Sequence, residues 1–193
     1  MVARDPVPKV RVVVLNYNGG DLTRQCLASL AATRWPADAL EVVLVDNAST
    51  DDSVAPALAE HPATRLIART DNGGFPANND ALRDLEGVDY VALVNNDAFV
   101  EPDWLAPLVA TLEADPALGA ACPKILFVER AVDGRPLVNN VGNDVLPNGY
   151  GVDRGFGEPD DGRFDEPVDV FAWCGAGVLL RSDYLRDVGL FDE

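Results

Sequence analysis

Short aliphatic runs alternate along the chain with polar breaks and stretches of helical spacing. Val10 to Leu15 is a β-branched and aliphatic run ending in Asn16-Tyr17-Asn18-Gly19-Gly20. A run of that kind suits a central parallel strand covered on both faces. Asp21 is placed to cap a helix whose apolar positions, Leu22, Cys26, Leu27 and Leu30, recur at helical spacing, and Pro36 closes the unit. Glu41 to Val45 predicts a second strand, followed by Asp46-Asn47-Ala48-Ser49-Thr50 and a short helix around Ser53 to Glu60. Thr64 to Ala68 predicts a third, followed by Asp71-Asn72-Gly73-Gly74 and a helix through about Leu85. Tyr90 to Val94 predicts a fourth that ends at Asn95-Asn96-Asp97, with Pro102 in the first turn of the next helix. Ala120 to Cys122 is a shorter fifth. Strand and helix alternating over short connections argue an α/β domain with a mostly parallel, doubly wound sheet flanked by helices on both faces.

Beyond Pro123 the rhythm changes. Asn148 to Pro167 is rich in Gly, Asp and Pro and poor in aliphatic residues, so it predicts a long loop, mobile without ligand, serving as a lid or acceptor loop. Regular structure is expected again over Val168 to Trp173 and Val178 to Arg181, with Ser182 capping a last helix that Gly189 ends. The 193 residues suffice for a single domain, 1–193, read as a nucleotide-binding half (1–122) and an incomplete acceptor-side half (123–193).

Composition narrows the function. Fifteen Lys and Arg against 32 Asp and Glu leave a net charge of −17, which repels phosphate backbones and argues against a nucleic-acid partner. The same scarcity of cations means that a bound diphosphate needs a divalent ion to neutralise it. Cys26, Cys122 and Cys174 are far apart, and His61 is the only histidine, so neither zinc nor histidine-dependent nucleophilic chemistry is supported. Reduced, mostly buried thiols are expected. No apolar run reaches membrane-spanning length and Met1 to Lys9 has no secretory h-region, so the domain is read as cytoplasmic, with room for peripheral membrane association of a longer protein.

In open parallel sheets ligands bind beyond the carboxyl ends of the strands, where strand order reverses. Those ends here carry Asn16, Tyr17 and Asn18, then Asp46 and Asn47, then Asp71 and Asn72, then Asn95, Asn96 and Asp97. None carries the glycine loop of a dinucleotide fold or a P-loop. A carboxylate-bound metal is the obvious candidate for holding phosphate, and Mg²⁺ uses one or two carboxylates plus phosphate oxygens. Asp97 is placed to be such a carboxylate, and Asn95 to add an amide oxygen or a water-mediated contact. Asn47, Ser49, Thr50 and Asp51 also suit plain turn formers.

The segments VVVLNYNGGDLTRQCLASL, LEVVLVDNASTDDS, NGGFPANNDAL, YVALVNNDAFVEPDWL and WCGAGVLLRSDYLRDVGLFDE together resemble the family 2 glycosyltransferases of GT-A fold, particularly their bacterial rhamnosyltransferase-like branch. The resemblance covers nearly the whole chain, in the family's order. It implies transfer of a sugar from a nucleotide-diphosphate donor, dTDP- or UDP-linked, to a hydroxyl of a saccharide or lipid-linked acceptor, with inversion and with Mn²⁺ or Mg²⁺. Asn16, Tyr17, Asn18 and Asp46 would form the nucleobase pocket, with Asp46 accepting from the base N3–H. Asn72, Asn78 and Asn96 would line the nucleotide site. Asn95-Asn96-Asp97 stands at the family's DxD, with Asn95 where the pattern has Asp. Cys174, Gly175, Ala176 and Gly177 would form the acceptor-side floor. In the family a catalytic carboxylate follows closely on FDE, so the base is expected beyond Glu193. A non-catalytic nucleotide-binding domain and a sugar-nucleotidyltransferase are the rival readings. The latter class generally has a glycine- and basic-rich loop after the first strand, which NYNGGD is not.

Overall fold

The computed structural model describes residues 7–192. Its strands are β1 (Val10–Asn16), β2 (Leu40–Asp46), β3 (Arg65–Ala68), β4 (Tyr90–Asn95), β5 (Ala120–Ala121), β6 (Ile125–Val132), β7 (Arg135–Asn140), β8 (Asn143–Val145), β9 (Gly151–Asp153) and β10 (Gly177–Arg181). Six of them form the central sheet, in the order β3-β2-β1-β4-β10-β5. The first four run parallel, while β10 lies antiparallel to both β4 and β5.

Alternation along the strands covers both faces. Val12, Val14, Leu44 and Ala92 pack with Cys26, Leu27 and Leu30 of α1 (Gly20–Ala31), Ala57 of α2 (Val54–Glu60) and Leu105, Leu108, Val109 and Leu112 of α4 (Leu105–Ala114). Val13, Val43, Val45, Val91 and Leu93 face the other way, onto Ala81 and Leu82 of α3 (Asn79–Leu82) and Leu185 of α5 (Ser182–Val188). The chain steps outward from β1 through β2 to β3, then returns across the sheet to place β4 on the other side of β1. With right-handed crossovers that reversal sends α3 to the opposite face from α1 and α2. It also makes the carboxyl ends of β1 and β4 the switch point, where open sheets of this kind bind their ligands.

The aliphatic run of β1 contains one charge. Arg11 lies opposite Glu41 in the register, pairs with it at 2.6 Å, and donates to the carbonyls of Ala81 and Asp84. A half-buried guanidinium is tolerated here because it satisfies carbonyl oxygens at the end of α3.

Several predicted boundaries shift. Asp21 does not cap α1 but sits in its first turn, accepting from Arg24 and Gln25, while Gly19 holds the cap position without a side-chain bond. Pro102 lies in a turn ahead of α4, its carbonyl accepting from Arg34 N–H, because Trp104 is the cap. The helix expected through Leu85 is a 3-10 turn, Phe75–Asn78, plus the single turn α3. Ser182 is the first residue of α5 and Arg181 is its cap, while Gly189, at φ 91°, ends that helix as expected. Val168 to Trp173 is extended chain with one bridge, Ala172 to Asn143, rather than a strand. The 122/123 boundary does not divide the sheet, since β10 inserts between β4 and β5.

The antiparallel pairs β6–β7 and β8–β9 had no counterpart in the sequence reading, and β9 falls inside the expected loop Asn148–Pro167. Much of the rest of that segment is hydrogen-bonded to β7 and the turn after it. Glu158 O accepts from Val138 N–H at 2.8 Å, Gly157 N–H donates to Val138 O at 2.8 Å, and Arg154 O accepts from Val141 N–H at 3.1 Å. Lys124 then bridges Asp160 at 2.8 Å and Asp165 at 2.5 Å. Main-chain pairing substitutes for the missing aliphatic contacts. Lys124→Met should therefore speed amide exchange over residues 158–166 while leaving exchange in β1 and β4 unchanged. Hydrogen-exchange mass spectrometry reads this directly, and uniform protection in both proteins would show that the ion bridge holds nothing.

Candidate active site

The carboxyl end of β1 places Asn16 at the crevice floor with 0% exposure. Its amide nitrogen donates to Asp46 Oδ1 (3.1 Å), Ser49 Oγ (3.0 Å) and Ser53 Oγ (2.9 Å). Its carbonyl oxygen accepts from Thr23 Oγ1 (2.6 Å) and Asn96 Nδ2 (2.9 Å). Every hydrogen-bonding position of this amide is in use, so Asn16 has nothing to offer a nucleobase directly. Its neighbour Gly19 makes room for the cluster. A Cβ there would lie 2.1 Å from Asn96 Nδ2 and 2.4 Å from Thr23 Oγ1.

The loops after β1 and β2 are stapled together. Ser49 Oγ accepts from Asn18 N–H, Asn18 Oδ1 accepts from Thr50 N–H, and Asp51 accepts from Gly20 N–H at the start of α1. Asn18 adopts φ 52°, the left-handed conformation that Asn tolerates. Tyr17 projects from the same loop, 49% exposed. Asp46 is half-buried, and only its Oδ1 is taken. Buried Asn47 joins the next loop, donating to Asn72 Oδ1 (2.7 Å) and Gly74 O and accepting from Gly73 N–H. Asn72 also accepts from Gly74 N–H, and Asn78 closes the 3-10 turn by donating to Phe75 O. Arg69, beside this loop, is already paired with Asp80 and Asp71.

At the end of β4, Asn95 N–H donates to Ala176 O at 3.2 Å, and Ala98 N–H closes a turn onto Asn95 O. That turn exposes Asp97. Among the described residues neither the Asp97 carboxylate nor the Asn95 side chain has a hydrogen-bond or ion-pair partner. Beneath them Cys26 donates to Asn95 O, and burial, then the charge of Asp97, push its thiol up to about 12. Cys122 and Cys174 are only half-buried, against the expectation for thiols.

The Cys174–Gly177 segment forms a tight turn, Gly177 N–H to Cys174 O, beside the same strand end. Gly175 lies against the Phe75 ring, where a Cβ would approach to 2.9 Å. Phe191 packs edge-on to Phe75 (5.0 Å) and Trp173 (6.2 Å). Asn79 holds the Phe191 backbone from both sides, donating to its carbonyl (2.7 Å) and accepting from its N–H (3.1 Å).

The thirteen residues expected at the site lie at these strand ends and on the loops and turns beside them. The sequence reading missed Thr23, Gly19 and Asn79, and treated Asn47 as a turn former. Thr23 carried a signal, since it shares the buried stripe of α1 with Cys26, Leu27 and Leu30. Asn79 carried none, because its partner is 112 positions away.

The fold is an α/β sheet with a polar cluster at the β1/β4 switch point, and comparisons with known proteins identify its family. Residues 11–184 match the model of "Glycosyl transferase family 2". The "Uncharacterized glycosyltransferase YibD" of Escherichia coli K12 is 34% identical over 117 residues, 59% of this chain and 33% of that protein. The "Succinoglycan biosynthesis protein ExoO" of Rhizobium meliloti is 30% identical over 184 residues, 94% of this chain and 46% of that protein. Among solved structures, the mannosyltransferase PcManGT of Pyrobaculum calidifontis, in complex with GDP-Man and Mn²⁺, superposes with a TM-score of 0.63 at 25% identity, over 96% of this chain and 48% of that one. The chain belongs to glycosyl transferase family 2, and its fold is GT-A. It spans less than half the length of each of these three relatives.

Gly19→Ala tests the packing of the cluster. Gly19 has an ordinary φ of −80°, so the cost is steric rather than torsional. Overpacking of this kind costs about 1–3 kcal/mol. Denaturant unfolding should show a lowered midpoint with an unchanged slope, and an unchanged midpoint would mean that the cluster yields freely.

Proposed function

We propose that this chain is the donor-binding part of an inverting glycosyltransferase that takes a UDP- or dTDP-linked sugar and holds its diphosphate through Mn²⁺ or Mg²⁺. The observation that carries this reading is the pair of uncommitted carboxylate groups, Asp46 Oδ2 and the Asp97 side chain, on either side of Asn16 at the switch point. Asp46 can accept from an N3–H, and Tyr17 offers a ring face to the base. Asp97 and the Asn95 amide oxygen suit a hard divalent cation completed by phosphate oxygens and water. No group of three or more His, Cys, Asp or Glu side chains placed to hold a metal occurs among the described residues, so the phosphates must supply much of the coordination. When bound, the cation offsets charge growing on the leaving diphosphate.

This chain's own contribution is to orient the base, exclude water beneath it, and present the anomeric carbon to the floor at Cys174–Gly177. The general base is assigned to a carboxylate beyond Glu193, on the strength of the family resemblance. The segment that leads there, Leu190-Phe191-Asp192, lies beside Phe75 and Trp173, the neighbours of that floor. The rhamnosyltransferase-like branch is supported by the order of the sequence motifs, and a saccharide or lipid-linked acceptor by the resemblance. A cytoplasmic site is supported by the three free thiols.

Calorimetry of UDP, dTDP and GDP with EDTA and then with Mn²⁺ tests the reading. Binding of UDP or dTDP should be weak in EDTA and clearly tighter with Mn²⁺, and Asp97→Ala should abolish that gain. Equal affinity in both conditions would remove the metal from the site. Asp46→Asn should weaken UDP binding while leaving the melting temperature nearly unchanged, because only one of its two oxygens is used by the fold. A fall of several degrees would make Asp46 a structural group instead.

A further inference from the structure

We infer that Asn16 is a positioning residue that fixes the nucleobase acceptor and the metal-side turn as one unit, without touching the ligand itself. The inference rests on the donor-site reading above and deepens it.

A carboxylate can only accept, so the Asn16 amide nitrogen must face Asp46, and its carbonyl oxygen must face the other way. There it accepts from the Thr23 hydroxyl and the Asn96 amide nitrogen. Asn96 is thereby committed as a donor toward Asn16, and its own carbonyl oxygen is left facing away from that bond. The polarity set at Asp46 is passed through one rigid, planar amide to the residue preceding Asp97. The same amide ties in Ser49 and Ser53, which hold the loops after β1 and β2. Three acceptors share its two N–H hydrogens, so rotation of the side chain in either direction breaks bonds on both sides. With 0% exposure, no water is available to replace them.

The base acceptor and the metal-side turn thus have a common support. Asp46 keeps Oδ1 on Asn16 and leaves Oδ2 without a partner among the described residues. Asn96 is pinned where Gly19 leaves space, and the turn Asn95-Asn96-Asp97 is pinned with it. Outer partners of this kind typically matter by about 10–100-fold in affinity or activity when removed.

The test measures two ratios by calorimetry on the purified chain: affinity for UDP over CDP, and for UDP with Mn²⁺ over UDP with EDTA. The first reports Asp46 and the second reports the metal side. Asn16→Ala should lower both ratios together, each about 10-fold or more. Thr23→Val removes only a donor to the Asn16 oxygen and should lower chiefly the Mn²⁺ ratio. Ser49→Ala, on the other end of the amide, should lower chiefly the UDP/CDP ratio. These two variants keep the test decisive should Asn16→Ala not fold. A merely structural role would reduce the melting temperature and leave both ratios unchanged in the folded protein, and that result overturns the inference alone. Wild-type chain that binds no UDP at all with Mn²⁺ overturns the donor-site reading, and this inference with it.

Discussion

A buried amide that must be satisfied is the constraint on which the crevice depends. Leaving one buried donor or acceptor unpaired costs about 1–3 kcal/mol, and Asn16 brings several such positions to the floor of the sheet. Its partners come from four places in the chain: Thr23 on α1, Asp46 at the end of β2, Ser49 and Ser53 in the following loop, and Asn96 after β4. Satisfying Asn16 therefore requires three strand ends and a helix to sit in one arrangement. The absence of a side chain at Gly19 belongs to the same requirement, since any Cβ would occupy the space of these bonds.

The electrostatics follow from what the fold does with its few cations. Arg11 is used inside the sheet, Arg69 on its neighbouring acids, and Lys124 on the loop that follows β7. These three cations are thus committed, while one oxygen of Asp46 and all of Asp97 remain uncommitted among the described residues. A diphosphate entering such a place meets negative charge on both sides, which is why the proposed function assigns the neutralising charge to a divalent cation and not to the side chains.

The antiparallel strand β10 links the two sides of the proposed site. It pairs with β4, the strand that carries Asn95, and the turn Cys174–Gly177 leads directly into it, so both sides share one sheet. Asn79 and the rings of Phe75, Trp173 and Phe191 extend this link to the end of the described chain. Contacts between residues more than a hundred positions apart thereby hold the last segment beside the turn that carries Phe75 and Asn79.

The sequence by itself determined the layered α/β architecture, because aliphatic runs such as Val12-Val13-Val14 and the stripe Cys26, Leu27, Leu30 have periodicities that only a covered sheet and a packed helix can bury. It also determined which polar residues gather at the strand ends, since Asp46 and Asn95 close such runs and Asn72 and Asp97 lie in the loops that follow. What only the tertiary structure decided is the role each polar residue takes. Asn16 and Asn95 look alike in sequence, yet one is a saturated internal support and the other keeps a free amide, because their surroundings are assembled from distant loops. The hairpins β6–β7 and β8–β9 escaped the sequence reading for a related reason. Main-chain hydrogen bonds hold much of that region in place, and a backbone N–H leaves no mark in the pattern of side chains. The position of β10 between β4 and β5 was likewise hidden, because a strand's own residues specify that it is buried and not which neighbours bury it.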